Sequence, residues 1–236
     1  MRLRLLSLSI PALVLVVLVL AGCGSSSPSG NGVASKTPAE ILAVAKSAAA
    51  GAATVHVAGS IVSEGQPISL DMELVGSNGV GNNGGKGRLT VGGLGIDLID
   101  IDRAVYVKGS DAFYTHFAGP TAARLLRGKW LKGSAASGPL ASLASLADLG
   151  KVIDSTLGDH GPLSRAPGTT LKGQRAVGVT DAANDGTLYV ATTGAPYPLE
   201  IRKSGSGRIV FDRWNEPVSL QAPTNAINVK QLHGGN

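Results

Sequence analysis

The chain has 236 residues, 43% of them hydrophobic and 4% aromatic, with 33 glycines and one cysteine. A net charge of +5 without any block of Lys and Arg argues against nucleic acid as a partner, and a lone cysteine rules out an internal disulfide. Many glycines and few aromatics favour short strands with frequent turns over a helical bundle.

The chain opens with Arg2 and Arg4, then an uncharged run from Leu5 to Leu20, then Ala21, Gly22 and Cys23. A basic end, an apolar segment and small residues before a cut make a secretory signal peptide. A membrane-spanning helix needs about 20 apolar residues. This run is shorter and contains Pro11. Leu20-Ala21-Gly22-Cys23 resembles the lipobox of bacterial lipoproteins, which implies diacylglyceryl transfer to the Cys23 thiol and cleavage just before it.

The expected boundaries follow: signal peptide 1–22, lipidated Cys23 with a flexible Gly/Ser linker over 23–36, one domain over 37–222, and a loose tail over 223–236. Taking 22 from 236 leaves 214 residues, enough for a sizeable core. With Arg2 and Arg4 gone, 19 basic and 16 acidic residues leave about +3, a mild attraction to anionic lipid or glycan. Acyl chains contribute about 0.8 kcal/mol per buried methylene. Two or three would hold the protein at the outer, extracytoplasmic face of the cell membrane.

Thr37-Pro38-Ala39-Glu40 reads as a helix start with a capping box, and an apolar stripe from Ile41 to Ala52 continues it to about Ala53. Strands follow at 54–63 and 66–76. In the second, Ile68, Leu70, Met72 and Leu74 alternate with Ser69, Asp71 and Glu73, so one face is dry and the other wet. That alternation marks an antiparallel sheet. Residues 76–87 form a glycine-rich connection, and 88–91, 94–102 and 104–108 are strands. The apolar phase slips at Leu98-Ile99, which predicts a bulge or turn. Short helices and a strand at 129–132 are expected in the aromatic-rich 111–132. A second helix is expected over 139–157. Strands at 169–180, 186–193, 197–203 and 207–214 follow, with Val218–Leu220 closing the sheet.

Helix, antiparallel run, helix, antiparallel run behind a lipobox resembles the actinobacterial LppX/LprA/LprF/LprG lipoprotein family. The resemblance rests on 38–59 with Thr54-Val55-His56-Val57, on Leu89-Thr90-Val91-Gly92-Gly93 through Ile96-Asp97 to Val105-Tyr106-Val107, and on Gly186-Thr187-Leu188-Tyr189-Val190 with 196–201 and 209–218. It implies an α+β fold similar to LolA and LolB. There, a curved antiparallel sheet, an unclosed half-barrel, wraps helices and leaves an apolar cavity. It also implies binding of acylated lipids or lipoglycans and their movement across the envelope, with an envelope transporter as a further partner. Candidate lining residues are Ile68, Leu70, Met72, Leu74, Leu98, Trp130, Leu143 and Leu146.

Catalytic signals are weak. His56, His116, His160 and His233 are far apart and no Gly-x-Ser-x-Gly elbow is present. Gly84-Gly85-Lys86-Gly87 superficially suggests a phosphate loop but has Val80 and Gly87 where that motif needs glycine and Ser/Thr, so a hairpin loop is the better reading. Asp97, Asp100 and Asp102 lack calcium-loop spacing and read as solvated strand and turn positions. Trp130 and Trp214 fit either a cavity mouth or a core. Neither a catalytic group, a metal nor a cofactor is expected. The resemblance therefore points to a lipid carrier. A docking lipoprotein with a filled core and a hydrolase are the rival readings.

Overall fold

A computed structural model describes residues 30–79 and 83–232. Cys23, the signal peptide and His233 lie outside the described residues. Twelve strands form one sheet: β1 (Thr54–Ser63), β2 (Gln66–Val75), β3 (Gly84–Val91), β4 (Leu94–Ile101), β5 (Ala104–Gly109), β6 (Leu131–Ser134), β7 (Leu163–Leu171), β8 (Gln174–Asp181), β9 (Gly186–Ala191), β10 (Pro198–Lys203), β11 (Gly207–Asp212) and β12 (Ile227–Asn228). Their order is β12-β6-β5-β4-β3-β2-β1-β11-β10-β9-β8-β7, with β12 and β7 as free edges. The sheet is therefore unclosed, as expected. It is mixed rather than purely antiparallel, because β12 pairs parallel with β6.

The helices are α1 (Pro38–Ala50), α2 (Asp111–Leu126), α3 (Ala141–Ala144), α4 (Leu149–Leu157) and α5 (Val229–Leu232). At the start of α1 the Thr37 N–H donates to Glu40 Oε2 at 2.8 Å, and the Glu40 N–H donates to Thr37 Oγ1. These two bonds satisfy donors the helix itself leaves open. Thr37→Ala is expected to cost about 1 kcal/mol, read as a lower urea midpoint with unchanged slope.

Met72 and Leu74 of β2 point inward and are buried, while Asp71 on the opposite face is exposed. The inner face packs on Ile41, Ala45 and Ala49 of α1 and on Leu149, Ile153 and Leu157 of α4. Helix α1 touches β7, β8 and β10, the 3-10 turn Ser145–Ala147 touches β2, β3 and β4, and α1 touches α4. One helical layer reaches both halves of the sheet because the sheet curves around it. Close approach requires small residues at the contact. A Cβ on Gly85 would stand 3.0 Å from the Ala147 carbonyl oxygen and 2.9 Å from Leu74 Cδ2.

Several expectations need correction. The helix expected over 139–157 is broken into α3, the 3-10 turn and α4. Asp148 is extended (φ −96°, ψ 113°) and its side chain accepts from the Lys151 N–H to cap α4. No bulge interrupts β4 at Leu98-Ile99, since its register with β3 and β5 is continuous. Both faces are covered instead. Leu98 faces the helices, while Ile99 lies beside Lys86, over which the C-terminal segment passes through a Lys86 Nζ to Ser219 carbonyl bond of 2.8 Å. Val218–Leu220 is thus part of a strap across the outer face and adds no strand. Gly84–Gly87, expected in a loop, belong to β3 and pair with Met72 through Val75 along β2. Residues 169–180 are two strands joined at Lys172-Gly173, both with positive φ (47° and 83°), as a tight hairpin demands. In the aromatic segment, the strand starts at Leu131, and α2 kinks at Gly119 (φ 82°) before Pro120.

The linker and tail also shift. Val33 is 1% exposed and the Asn31 N–H donates to the Thr192 carbonyl at 2.9 Å, so residues 30–36 pack on the domain. At the other end the Ile227 N–H donates to the Trp130 carbonyl at 2.8 Å, and Val229 is buried. The segment Ile227–Leu232 is docked rather than loose.

Ion pairs tie the outer face together. His56 places Nδ1 2.6 Å from Asp212 and Nε2 3.0 Å from Asp71, and Lys172 Nζ reaches Asp212 at 2.8 Å. Arg88 and Lys108 both hold Asp97, at 2.7 and 2.9 Å. Burial pushes the Asp97 and Asp212 carboxyls up, but bonds from Arg88 and Lys108, and from Lys172 and His56, outweigh it and leave both below the usual carboxylate range. A carboxyl lowered on folding stabilises above its unfolded value, near 4, and loses that contribution as pH falls through the folded value. The thermal midpoint should hold from neutral pH to about 5 and fall below that. In Asp97→Asn/Asp212→Asn the midpoint should start lower at neutral pH and fall less on acidification.

Candidate functional site

The strands of the C-terminal half bring one apolar row to the inner face. Val179 stands opposite Leu188, Leu188 opposite Ile201, and Ile201 opposite Ile209. The next inward row toward the strand ends is polar: Asp181 stands opposite Gly186 and Gly186 opposite Lys203. Helix α4 stops at Leu157, and its last residues, Ser155 to Leu157, border a space near these strand ends. The space there is a cleft of about 620 Å³, with Leu42 of α1 and Ile61, Ile68, Leu188, Ile201 and Ile209 along its floor. Asp159, His160, Asp181, Asn184 and Lys203 stand around it. Its volume lies within the range of roughly 300–1,000 Å³ typical of ligand pockets.

The rim is uneven in charge. Burial pushes the Asp181 carboxyl up, but bonds from the Asn184 side chain and from the amides of Gly161, Ala183 and Asn184 hold it below the ordinary range. Asp181 is therefore a fixed anion that shapes the 159–161 and 182–184 turns. His160 Nδ1 lies 3.0 Å from the Gly161 carbonyl oxygen. Among the described residues the Lys203 ammonium has no ion pair. An apolar floor with a polar rim suits an amphipathic molecule, its chain inside and its head outside.

Of the lining residues expected from the sequence, Ile68 alone lines this cleft, and of the described histidines only His160 stands at it. Leu70 is half-buried against the same core, and Met72, Leu74 and Leu98 are buried in it. Leu143 is partly buried there, and Leu146 is exposed. Trp130 lies in a shallow outer-face depression with Arg88 and Asp97, under Lys108 Nζ at 4.9 Å from its ring centre. Trp214 stacks on Tyr197 at 4.4 Å and donates from Nε1 to the Pro198 carbonyl at 3.1 Å. Sequence reasoning missed Val179, Leu188, Ile201, Ile209 and Lys203. The alternation of β9 to β11 signalled inward positions but not which of them the helices would leave uncovered.

The other candidates separate. Asp97 is bound to Arg88 and Lys108 on the outer face. Asp100, with its carboxyl raised by burial and by Asp148, belongs to the inner row of Leu98, and Asp102 sits in a turn at φ 53°. These three cannot share one ion. Among the described residues, no group of three His, Cys, Asp or Glu side chains is placed to hold a metal. No described helix is long and apolar enough to cross a membrane.

An open, curved sheet wrapped on a short helical layer is the fold this chain shares with LprF. The chain is similar to LprF from Mycobacterium bovis, with a TM-score of 0.53 and 17% identity over 79% of this chain and 96% of that one. It is also similar to an uncharacterized conserved protein from Thermus thermophilus, with a TM-score of 0.39 and 11% identity over 80% and 96%. No family model and no curated protein sequence matches the chain. The likeness to LprF is one of fold.

Proposed function

We propose that the protein is an envelope lipoprotein, lipidated at Cys23, that holds an acylated lipid or lipoglycan in the cleft and carries it within the envelope. The observation that carries this reading is the cleft itself, an apolar floor of strand residues beneath a polar rim, in a fold shared with LprF. Acyl chains lie on Leu188, Ile201 and Ile209. The sugar or phosphate head stays at the rim beside Lys203 and Asn184. The anchor holds the domain at its donor membrane, outside the cytoplasm, and an envelope transporter is the partner that supplies or receives cargo. Burying acyl chains needs no catalytic group and no cofactor.

A fluorescent polyene fatty acid provides the test. The reading expects saturable binding by residues 24–236, competed by diacylated lipid, and palmitate labelling of the full chain that is lost in Cys23→Ala. Absence of saturable binding would refute the carrier. It would favour a docking lipoprotein, a reading consistent with the burial of Met72, Leu74 and Leu98 beneath α1 and α4.

A further inference from the structure

Phe117 and Leu125 are each 66% exposed, the most exposed large apolar side chains among the described residues. Both belong to α2, on either side of the Gly119 kink. The two ends of α2 meet, since Arg127 Nη2 lies 2.6 Å from Asp111 Oδ2. The helix therefore doubles back, with Phe117 near the bend. Phe117 stands 4.8 Å from the Phe113 ring and 4.7 Å from the His116 ring, centre to centre. Phe113 packs on the core behind it.

The chain that follows Asp111 carries charge of one sign. No Asp or Glu occurs from Ala112 to Ala147, while Arg124, Arg127, Lys129 and Lys132 all lie in that stretch. Arg124 and Lys129 are exposed and without a carboxylate partner among the described residues. Exposed Phe and Leu set among unopposed cations form the pattern of an interfacial segment that binds anionic bilayers.

Its place in the fold gives this pattern a use. Ser110, the cap of α2, accepts from the Gly95 N–H through its hydroxyl and donates its own N–H to the Gly95 carbonyl, beside the β3–β4 turn. Ile68 of the cleft stands opposite Val91 at that same turn. Helix α2 and the cleft thus share one end of the sheet.

We infer that α2 is a bilayer-docking element. Phe117 and Leu125 enter the acyl boundary of a membrane carrying anionic lipid, Arg124 and Lys129 meet its head groups, and the cleft end of the domain faces the lipid. This contact is separate from the Cys23 anchor and does not depend on what the cleft holds.

Residues 24–236 contain every described packed element and lack the signal segment, so they report this contact alone. In sedimentation with vesicles of equal parts phosphatidylglycerol and phosphatidylcholine, the expected result is binding that weakens in high salt and on pure phosphatidylcholine. Phe117→Ser/Leu125→Ser should lower partitioning about tenfold or more, whereas Leu232→Ser, at a half-exposed leucine of α5, should leave it unchanged. Phe117→Trp should keep binding and shift its emission to the blue on vesicles. Unchanged partitioning of the double variant, or an unshifted Trp emission on bound protein, would overturn the inference. So would conversion of a dimer to a monomer by the double variant, which would assign the patch to a second copy of the chain.

Discussion

Ile201→Trp is expected to remove acyl binding while leaving the fold in place. Ile201 lies at the centre of the inward row, opposite both Leu188 and Ile209, and is half-buried because it faces the cleft. An indole there fills space rather than displacing neighbours. If it excludes about four methylenes of a bound chain, the loss is roughly 3 kcal/mol, or a hundredfold in affinity. Titration with the fluorescent fatty acid reads the affinity, and a urea melt reads the fold. A hundredfold loss with a nearly unchanged midpoint supports the cleft as the binding site. Parent-like affinity in a folded variant would place the ligand elsewhere.

Phe211→Ala should have the largest effect on stability. Phe211 is 1% exposed, stands opposite Val57 in the central β1–β11 pair and packs in the main core. Removing the ring forfeits its burial and leaves a cavity that strands held on both sides cannot collapse to fill. The expected cost is about 3–5 kcal/mol, a large part of the stability of a domain this size. Chemical denaturation should show a much lower midpoint with a similar slope. A loss below about 1 kcal/mol would mean that the central strands close over the gap and that this part of the core is loosely packed.

What the sequence revealed depended on whether a signal was local. The capping box of Thr37 and Glu40 places α1 correctly because every partner lies within four residues. The alternation of β2 is clean because its outer face stays wet along Ser69 and Asp71. Beta strand β4 misleads for the opposite reason. A strap more than 100 residues away in sequence passes beside Ile99, so neither face shows the usual polar phase. Strand β7 begins at Leu163, earlier than expected, because as an edge strand it carries polar residues at Ser164, Arg165 and Thr169. The break at Asp148 hides inside an apolar periodicity that continues through it.

The cleft was least legible. Its floor requires Val179, Leu188, Ile201 and Ile209 to align across four strands, and its emptiness depends on where α4 ends relative to them. Met72 and Leu74 have the same inward phase, and Val179, Leu188 and Ile209 are buried in the same core while also edging the cleft, so alternation alone could not separate core from lining. A bulky substitution at Met72 would disturb the core rather than report on the ligand, whereas Ile201 and Leu188 face the space itself.

Native mass spectrometry of residues 24–236, expressed in a host rich in envelope lipids, tests the carrier most directly. The carrier reading predicts a bound species of defined mass, made of multi-acylated lipid, present in the parent and absent in Ile201→Trp. A single unliganded mass, unchanged after incubation with an envelope-lipid extract, would contradict it.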